Sequence, residues 1–148
     1  MKDYVIVEII PSHLDYKKGD IIQLQALKVK DKKIINRMDY RLSLDLIDNP
    51  YLLEMINYDQ DMFTYTKKKG LILDTFKRFI EDNDLFIIDN KYTKDYLLEI
   101  KNKKISVFDY LSIPNNDDSF DLLIKKYNLE RTNHLVDLLY EAITFHDS

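Results

Sequence analysis

An acidic residue in the middle of an apolar run is the first feature of this sequence that could do chemistry. The run YVIVEIIPS extends from Tyr4 to Ser12 and carries Glu8 among β-branched residues. Such a run is typical of a strand that is buried on both faces, and Pro11 ends it. A carboxylate there is costly to bury unless it is paired, hydrogen-bonded or bound to a metal. Glu8 is therefore the first candidate site residue.

Two further stretches contain residue types that could act together with Glu8. The segment DNKYTKD brings Asn90, Lys94 and Asp95 close together after a second apolar run. The segment NHLVDLLYEA places His134 and Asp137 three residues apart, on one face of a predicted helix. A histidine can act as a general base, and carboxylates can hold a divalent ion. The ordinary alternatives are an exposed ion pair for the aspartate and a capping or turn role for the asparagine.

The composition excludes several classes of function. The chain has 148 residues, which fits one domain over 1–148, and its 45% hydrophobic and 32% charged residues are typical of globular proteins. Without cysteine there are no thiolate metal sites, and two glycines are too few for a glycine-rich phosphate loop. No run resembles a membrane span or a secretory signal, so we predict a cytoplasmic protein. The net charge of −4 does not favour nucleic acid, although lysines cluster at 28–33, 67–69 and 101–104.

The elements that would position the candidate residues follow from the apolar patterns. Three strands joined by short turns are predicted at 4–12, 21–30 and 34–44, with shorter strands at 85–88 and 105–111. Helices are predicted from Pro50 onward, at 71–82, from Thr93 or Asp95 to Ile100, at 120–127 and at 133–145. This order predicts an α/β fold with a mixed five-stranded sheet, three antiparallel strands followed by β-α-β, and helices on both sides.

The order of elements and the residues at several places resemble the DEDD exonuclease superfamily of the ribonuclease-H-like fold. The histidine subtype is most similar: the proofreading subunit of bacterial replicative DNA polymerase, ribonuclease T and oligoribonuclease. The family's first strand ends Asp-x-Glu-Thr-Thr-Gly where this chain has YVIVEIIPSHL, and its second reads like IIEIGAVKVK, against IIQLQALKVK here. Its fourth strand ends His-Asn before a helix opened by Phe-Asp, against IIDNKYTKDYLL, and its fifth leads into Asp-Thr-Leu, against FDYL. Its last helix begins with His and carries an Asp five residues later, against NHLVDLLYEA.

The resemblance implies a site in which carboxylates hold two divalent ions around the scissile phosphate and a histidine activates water. Matched position by position, this chain keeps one acid as Glu8 and the histidine as His134. The other three acid positions hold Ile10, Lys94 and Leu139. We therefore expect no bound metal or other cofactor, and we predict an ion pair between Lys94 and Glu8 in a vestigial cleft.

Three functions remain open at this point. The first is a catalytically degenerate 3′–5′ exonuclease-like domain that acts as an interaction module, with a protein partner in nucleic-acid metabolism. The second is a weak nucleic-acid binder that holds a 3′ end through Lys94 and Asn90. The third is a weak or atypical exonuclease on single-stranded DNA or RNA, which would need Mg²⁺ or Mn²⁺. It would use Glu8, His134 and displaced acids such as Asp95 or Asp137. No membrane partner is expected, and the oligomeric state stays open.

Overall fold

The computed structural model describes residues 2–42, 63–65, 69–132 and 134–148. The strands are β1 (Asp3–Pro11), β2 (Ile21–Lys30), β3 (Lys33–Leu42), β4 (Phe63–Tyr65), β5 (Leu85–Ile87) and β6 (Lys104–Ser106). The helices are α1 (Lys69–Ile80), α2 (Lys91–Tyr96), α3 (Val107–Tyr110), α4 (Ser119–Tyr127) and α5 (Leu135–His146). The helix predicted from Pro50 onward lies outside the described residues. None of the helices described has the length and apolar character needed to cross a membrane.

The strands form one mixed sheet in the order β4-β3-β2-β1-β5-β6. Antiparallel pairs join β1 to β2 and β2 to β3, whereas β5 is parallel to β1 and β6 is parallel to β5. The α/β class and the mixed sheet are confirmed, and a strand is present at each of the five predicted places, although the last one is shorter than predicted. The short β4, parallel to β3, extends the sheet beyond the prediction. Three residues are too few to show the alternating pattern by which strands are recognised in a sequence.

The apolar run of β1 has neighbours on both faces of the sheet. Val5 and Val7 belong to a core cluster that includes residues of α1 and α2. Tyr4 and Ile6 point the other way, into a cluster that includes residues of α3, α4 and α5. Because successive side chains of a strand alternate between faces, a strand covered on both sides must be apolar at nearly every position. The prediction of a doubly buried first strand is confirmed.

A tight turn and an irregularity in the strand pairing together set the register of the polar residues discussed below. Asp31 and Lys32 both adopt left-handed backbone angles, with φ of 50° and 67°. Two consecutive residues with positive φ are typical of the type I′ hairpin turn, whose twist matches that of the strands it joins. The pairing then shifts by one residue between Lys28 and Val29, and this shift places Gln25 beside Asp39 and Gln23 beside Arg41.

Side-chain caps move two boundaries away from the predicted positions. The Asn90 side-chain oxygen accepts a hydrogen bond from the Thr93 N–H at 2.9 Å, so α2 begins at Lys91 rather than at Thr93 or Asp95. The predicted strand 105–111 ends at Ser106, whose hydroxyl accepts from the Asp109 N–H at 3.5 Å and starts α3. A strand over the whole of 105–111 was therefore a wrong prediction, because a hydroxyl at that position favours the start of a helix.

Candidate functional site

Glu8 lies on the face of the sheet that α5 covers, among other polar side chains. Pairing between strands places Glu8 beside Gln25 of β2 and Gln25 beside Asp39 of β3. The next row on the same face brings Gln23 beside Arg41. These five residues are called the buried polar cluster below. It lies next to the apolar residues that pack under α5.

The Glu8 carboxyl is buried, and no ion pair joins it to another described residue. Its side chain is 6% exposed, and its Oε2 atom has no hydrogen-bond partner among the described residues. Because burial in a medium of low polarity disfavours the charged form, desolvation raises the pKa of Glu8 to about 7. Both polar atoms of the Gln23 side chain and Oε1 of Gln25 are also buried, and they have no hydrogen-bond partner in the part of the chain that the structure describes. The cluster thus contains a carboxyl that titrates near neutral pH.

The predicted ion pair between Lys94 and Glu8 is wrong. The Lys94 ammonium lies 2.7 Å from Oδ1 of Asp89, and the lysine side chain is 58% exposed. The hydrogen bond to Asp89 raises the pKa of Lys94. Because α2 begins at Lys91, the Lys94 side chain is directed toward β6. The residue of α2 that interacts with Glu8 is Tyr92. Burial, and secondarily the negative charge of Glu8, raise the pKa of Tyr92.

Helix α5 places His134, Asp137 and Leu139, the residues of the last predicted motif, in different surroundings. His134 is the N-cap residue of this helix, and its backbone N–H donates to Oγ1 of Thr132 at 3.2 Å. Asp137 forms two hydrogen bonds with the Arg37 guanidinium of β3, at 2.7 and 3.1 Å. Leu139 is fully buried in the apolar core beneath α5. The position that would hold the final acid of the resembling family is therefore a core position.

The donor set does not fit a pair of divalent ions. In the part of the chain that the structure describes, no three histidine, cysteine or acidic side chains converge to hold a metal ion, so neither Asp95 nor Asp137 joins Glu8 in such a group. Asp39, the other acid of the buried polar cluster, lies two strands from Glu8, about 10 Å away at the backbone. Hard cations require several converging oxygen ligands, and the apolar side chains of Ile10 and Leu139 supply none.

The two glutamines of the cluster were missed at the level of sequence. In IIQLQALKVK, Gln23 and Gln25 occupy alternate positions of a strand, and alternation is compatible with a polar face in water. In the structure β2 lies between β1 and β3, and both glutamines are buried. The signal that could have indicated their burial was the strand in which they lie. An inner strand covered by helices on both faces has no solvent-facing side, so its polar residues must enter the core.

A separate cavity of about 440 Å³ lies where the parallel strands β5 and β6 end. Lys94 of α2 and Leu98, two residues after the end of this helix, form one wall, and Lys104 and Ser106 of β6 line the side toward the sheet edge. In α/β proteins, the carboxyl ends of parallel strands are a common place for ligands. The cavity is distinct from the buried polar cluster, because Glu8 does not line it.

The fold and the site together define an α/β protein with a mixed sheet and a buried polar cluster beside its central strand. Neither a family model nor a curated protein matches this chain.

Proposed function

We propose that this chain is a non-catalytic domain of the exonuclease type with a ribonuclease-H-like fold, and that it acts as an interaction module. Three antiparallel strands followed by two parallel ones, with β1 inside the sheet, support the proposed fold. Glu8 then occupies the first acid position expected from the resemblance to DEDD exonucleases. The proposed partner is a protein of nucleic-acid metabolism.

The isolation of Glu8 carries the non-catalytic part of the proposal. A metal-dependent nuclease needs several ionised carboxylates at one place, because the ions are held by charge and by converging oxygens. Here the carboxyl is 6% exposed, and desolvation raises its pKa to about 7, so it is partly protonated at neutral pH. A proton on a ligand competes with a metal ion and weakens its binding. The apolar Ile10 and the fully buried Leu139 add no ligand.

Charge favours a protein partner over nucleic acid. The Lys94 ammonium, which would replace the metal charge at a phosphate, is already bound to Asp89. The side chain of Asn90 is engaged in capping α2. With a net charge of −4, the chain has no overall attraction for a polyanion.

The nuclease test uses 5′-labelled single-stranded DNA and RNA with Mg²⁺ or Mn²⁺. We expect the strands to keep their full length, because the acids needed to hold two ions do not converge. Glu8→Gln and the exposed control Glu130→Gln should behave like the unaltered chain. Metal-dependent shortening from the 3′ end that is lost in Glu8→Gln and kept in Glu130→Gln would overturn the proposal.

The interaction test is a capture experiment from the native host with the purified chain, with and without nuclease treatment. A protein that is retained after nuclease treatment supports the proposed partner class. Material that is retained only when nucleic acid is intact would instead indicate a nucleic-acid binder.

A further inference from the structure

Strand β6 forms one edge of the sheet. Its pairing with β5 includes a hydrogen bond from the Leu85 N–H to the Lys103 carbonyl at 2.8 Å. In a parallel pair, backbone groups of alternate residues point toward the same neighbour, so Ile105 also faces β5. The backbone N–H groups of Lys104 and Ser106 and the Lys104 carbonyl consequently face away from the sheet, whereas the Ser106 carbonyl belongs to the first turn of α3. No other described strand pairs with this side of β6, which leaves the edge available for an added strand.

The free edge borders the cavity between β6 and α2. Lys104 and Ser106 are two residues apart on a strand, so their side chains share one face, and both line the cavity with Lys94 and Leu98. The leucine side chain is 76% exposed. A strand added to β6 would place every second side chain on this face, over the cavity. Backbone pairing combined with a pocket for alternate side chains is how extended peptides are recognised at sheet edges.

The charges around the cavity leave one ammonium without a counterion. Asp89 and Asp109 both act on Lys94, the first through a hydrogen bond. The Lys104 ammonium is held by the Ile100 carbonyl and lies 3.4 Å from the Asn102 carbonyl, which are both neutral groups. No carboxylate among the described residues forms an ion pair with it, and burial lowers its pKa. A carboxylate brought to this position would meet an uncompensated charge in a partly desolvated place, where ion pairs are stronger than in water.

We propose that the free edge of β6 binds an extended acidic segment of a protein partner. The segment pairs with the backbone of Lys104 and Ser106 and places an Asp or Glu side chain on the Lys104 ammonium. This inference rests on the proposed interaction function and names the kind of partner. The exposed Lys101 and Lys103 beside the edge add to the positive charge.

The test selects displayed random peptides of roughly 12 residues on the intact chain. We expect the selected peptides to be rich in Asp and Glu and to be extended. A synthetic copy of the strongest one is then titrated by fluorescence anisotropy. Lys104→Glu should weaken its binding about tenfold or more, and Lys104→Gln, which keeps a donor for the Ile100 carbonyl, should weaken it about threefold. The matched control Lys125→Glu makes the same charge change on the exposed side of α4 and should leave the affinity within about twofold.

Amide hydrogen exchange locates the bound peptide. The Lys104 and Ser106 amides should exchange more slowly when the peptide is present, since they donate to its carbonyls. Selection of peptides without acidic enrichment, unchanged affinity in both Lys104 variants, or slowed exchange only at other elements would overturn the edge proposal. Concentration-dependent dimerisation that the peptide does not displace, measured by analytical ultracentrifugation, would overturn it in favour of a second copy.

The two proposals can fail separately. If the labelled strands are shortened in the nuclease test, the non-catalytic function is wrong whatever the peptides do. If a nuclease-resistant protein partner is captured equally well by the unaltered chain and by Lys104→Glu, the interaction function stands and the β6 edge is not its site.

Discussion

At the scale of single residues, burial rather than a charged partner determines the chemistry of Glu8. Its pKa rises from 4.5 to about 7 through desolvation, with no cation among the described residues to oppose it. The folded state therefore binds the proton more tightly than the unfolded state does. The corresponding stability is fully present below about pH 4.5 and is lost as the pH rises through about 7.

Glu8→Gln is expected to remove this pH dependence. Between about pH 5 and pH 8 the unaltered chain should lose about 2–3 kcal/mol of unfolding free energy relative to Glu8→Gln, because only the carboxyl gains charge. Urea unfolding across this range measures the difference. Glu130→Gln, an exposed acid exchanged in the same way, should run parallel to the unaltered chain. Parallel curves for Glu8→Gln as well would show that the carboxyl is solvated or paired in solution.

At the scale of elements, short polar side chains decide where the elements begin and end. Asn90 starts α2 and Ser106 ends β6, and each does so by accepting a hydrogen bond from a backbone N–H three residues later. The Asn90 cap also determines which residue of α2 interacts with Glu8. It sets the helical phase that turns Lys94 toward Asp89 and leaves Tyr92 as the α2 residue affected by the charge of Glu8.

Asn90→Ala should lower the unfolding free energy by about 1 kcal/mol, since it leaves a donor at the start of α2 without its acceptor. Asn90→Asp retains an acceptor oxygen at the same position and should change the stability by less than about 0.5 kcal/mol. Thermal or urea unfolding of both variants at neutral pH gives the comparison. Equal losses in the two variants would mean that the amide N–H₂ group of Asn90, rather than the cap, is what matters.

At the scale of the whole molecule, α5 closes one face of the sheet and is fixed to the β2–β3 hairpin. Asp137 binds Arg37 of β3, and the Tyr140 hydroxyl donates to the Lys32 carbonyl in the turn. Leu139 lies beneath these contacts and is fully buried. The helix thus brings an apolar side chain to the position at which the resemblance predicts an acid.

Leu139→Asp should lower the unfolding free energy by at least about 3 kcal/mol, because it buries a carboxyl group without a partner. The matched control Leu71→Asp makes the same exchange at a position of α1 that is 57% exposed, and it should cost less than about 1 kcal/mol. Urea unfolding with and without Mg²⁺ measures both variants. A Leu139→Asp chain that is stable and is stabilised further by Mg²⁺ would place this residue at an open metal-binding cleft.

The sequence by itself determined the elements with strong local patterns. The apolar run around Glu8, the alternation of β2, and the helical spacing that predicts α1, α4 and α5 all depend on residues near one another in the chain. The hairpin at Asp31 was predictable for the same reason. The ends of each of these elements lie within two residues of the predicted ends.

Only the tertiary structure decided which polar groups meet. The direction of Lys94 depends on the residue at which α2 begins, and its partner Asp89 was not evident from the motif. The burial of Gln23 and Gln25 depends on strands and helices that are distant in the chain but cover both faces of β2. A local pattern specifies which residues share a face. The physical environment of that face comes from the elements packed against it, and for Glu8 burial by these elements raises the pKa of its carboxyl.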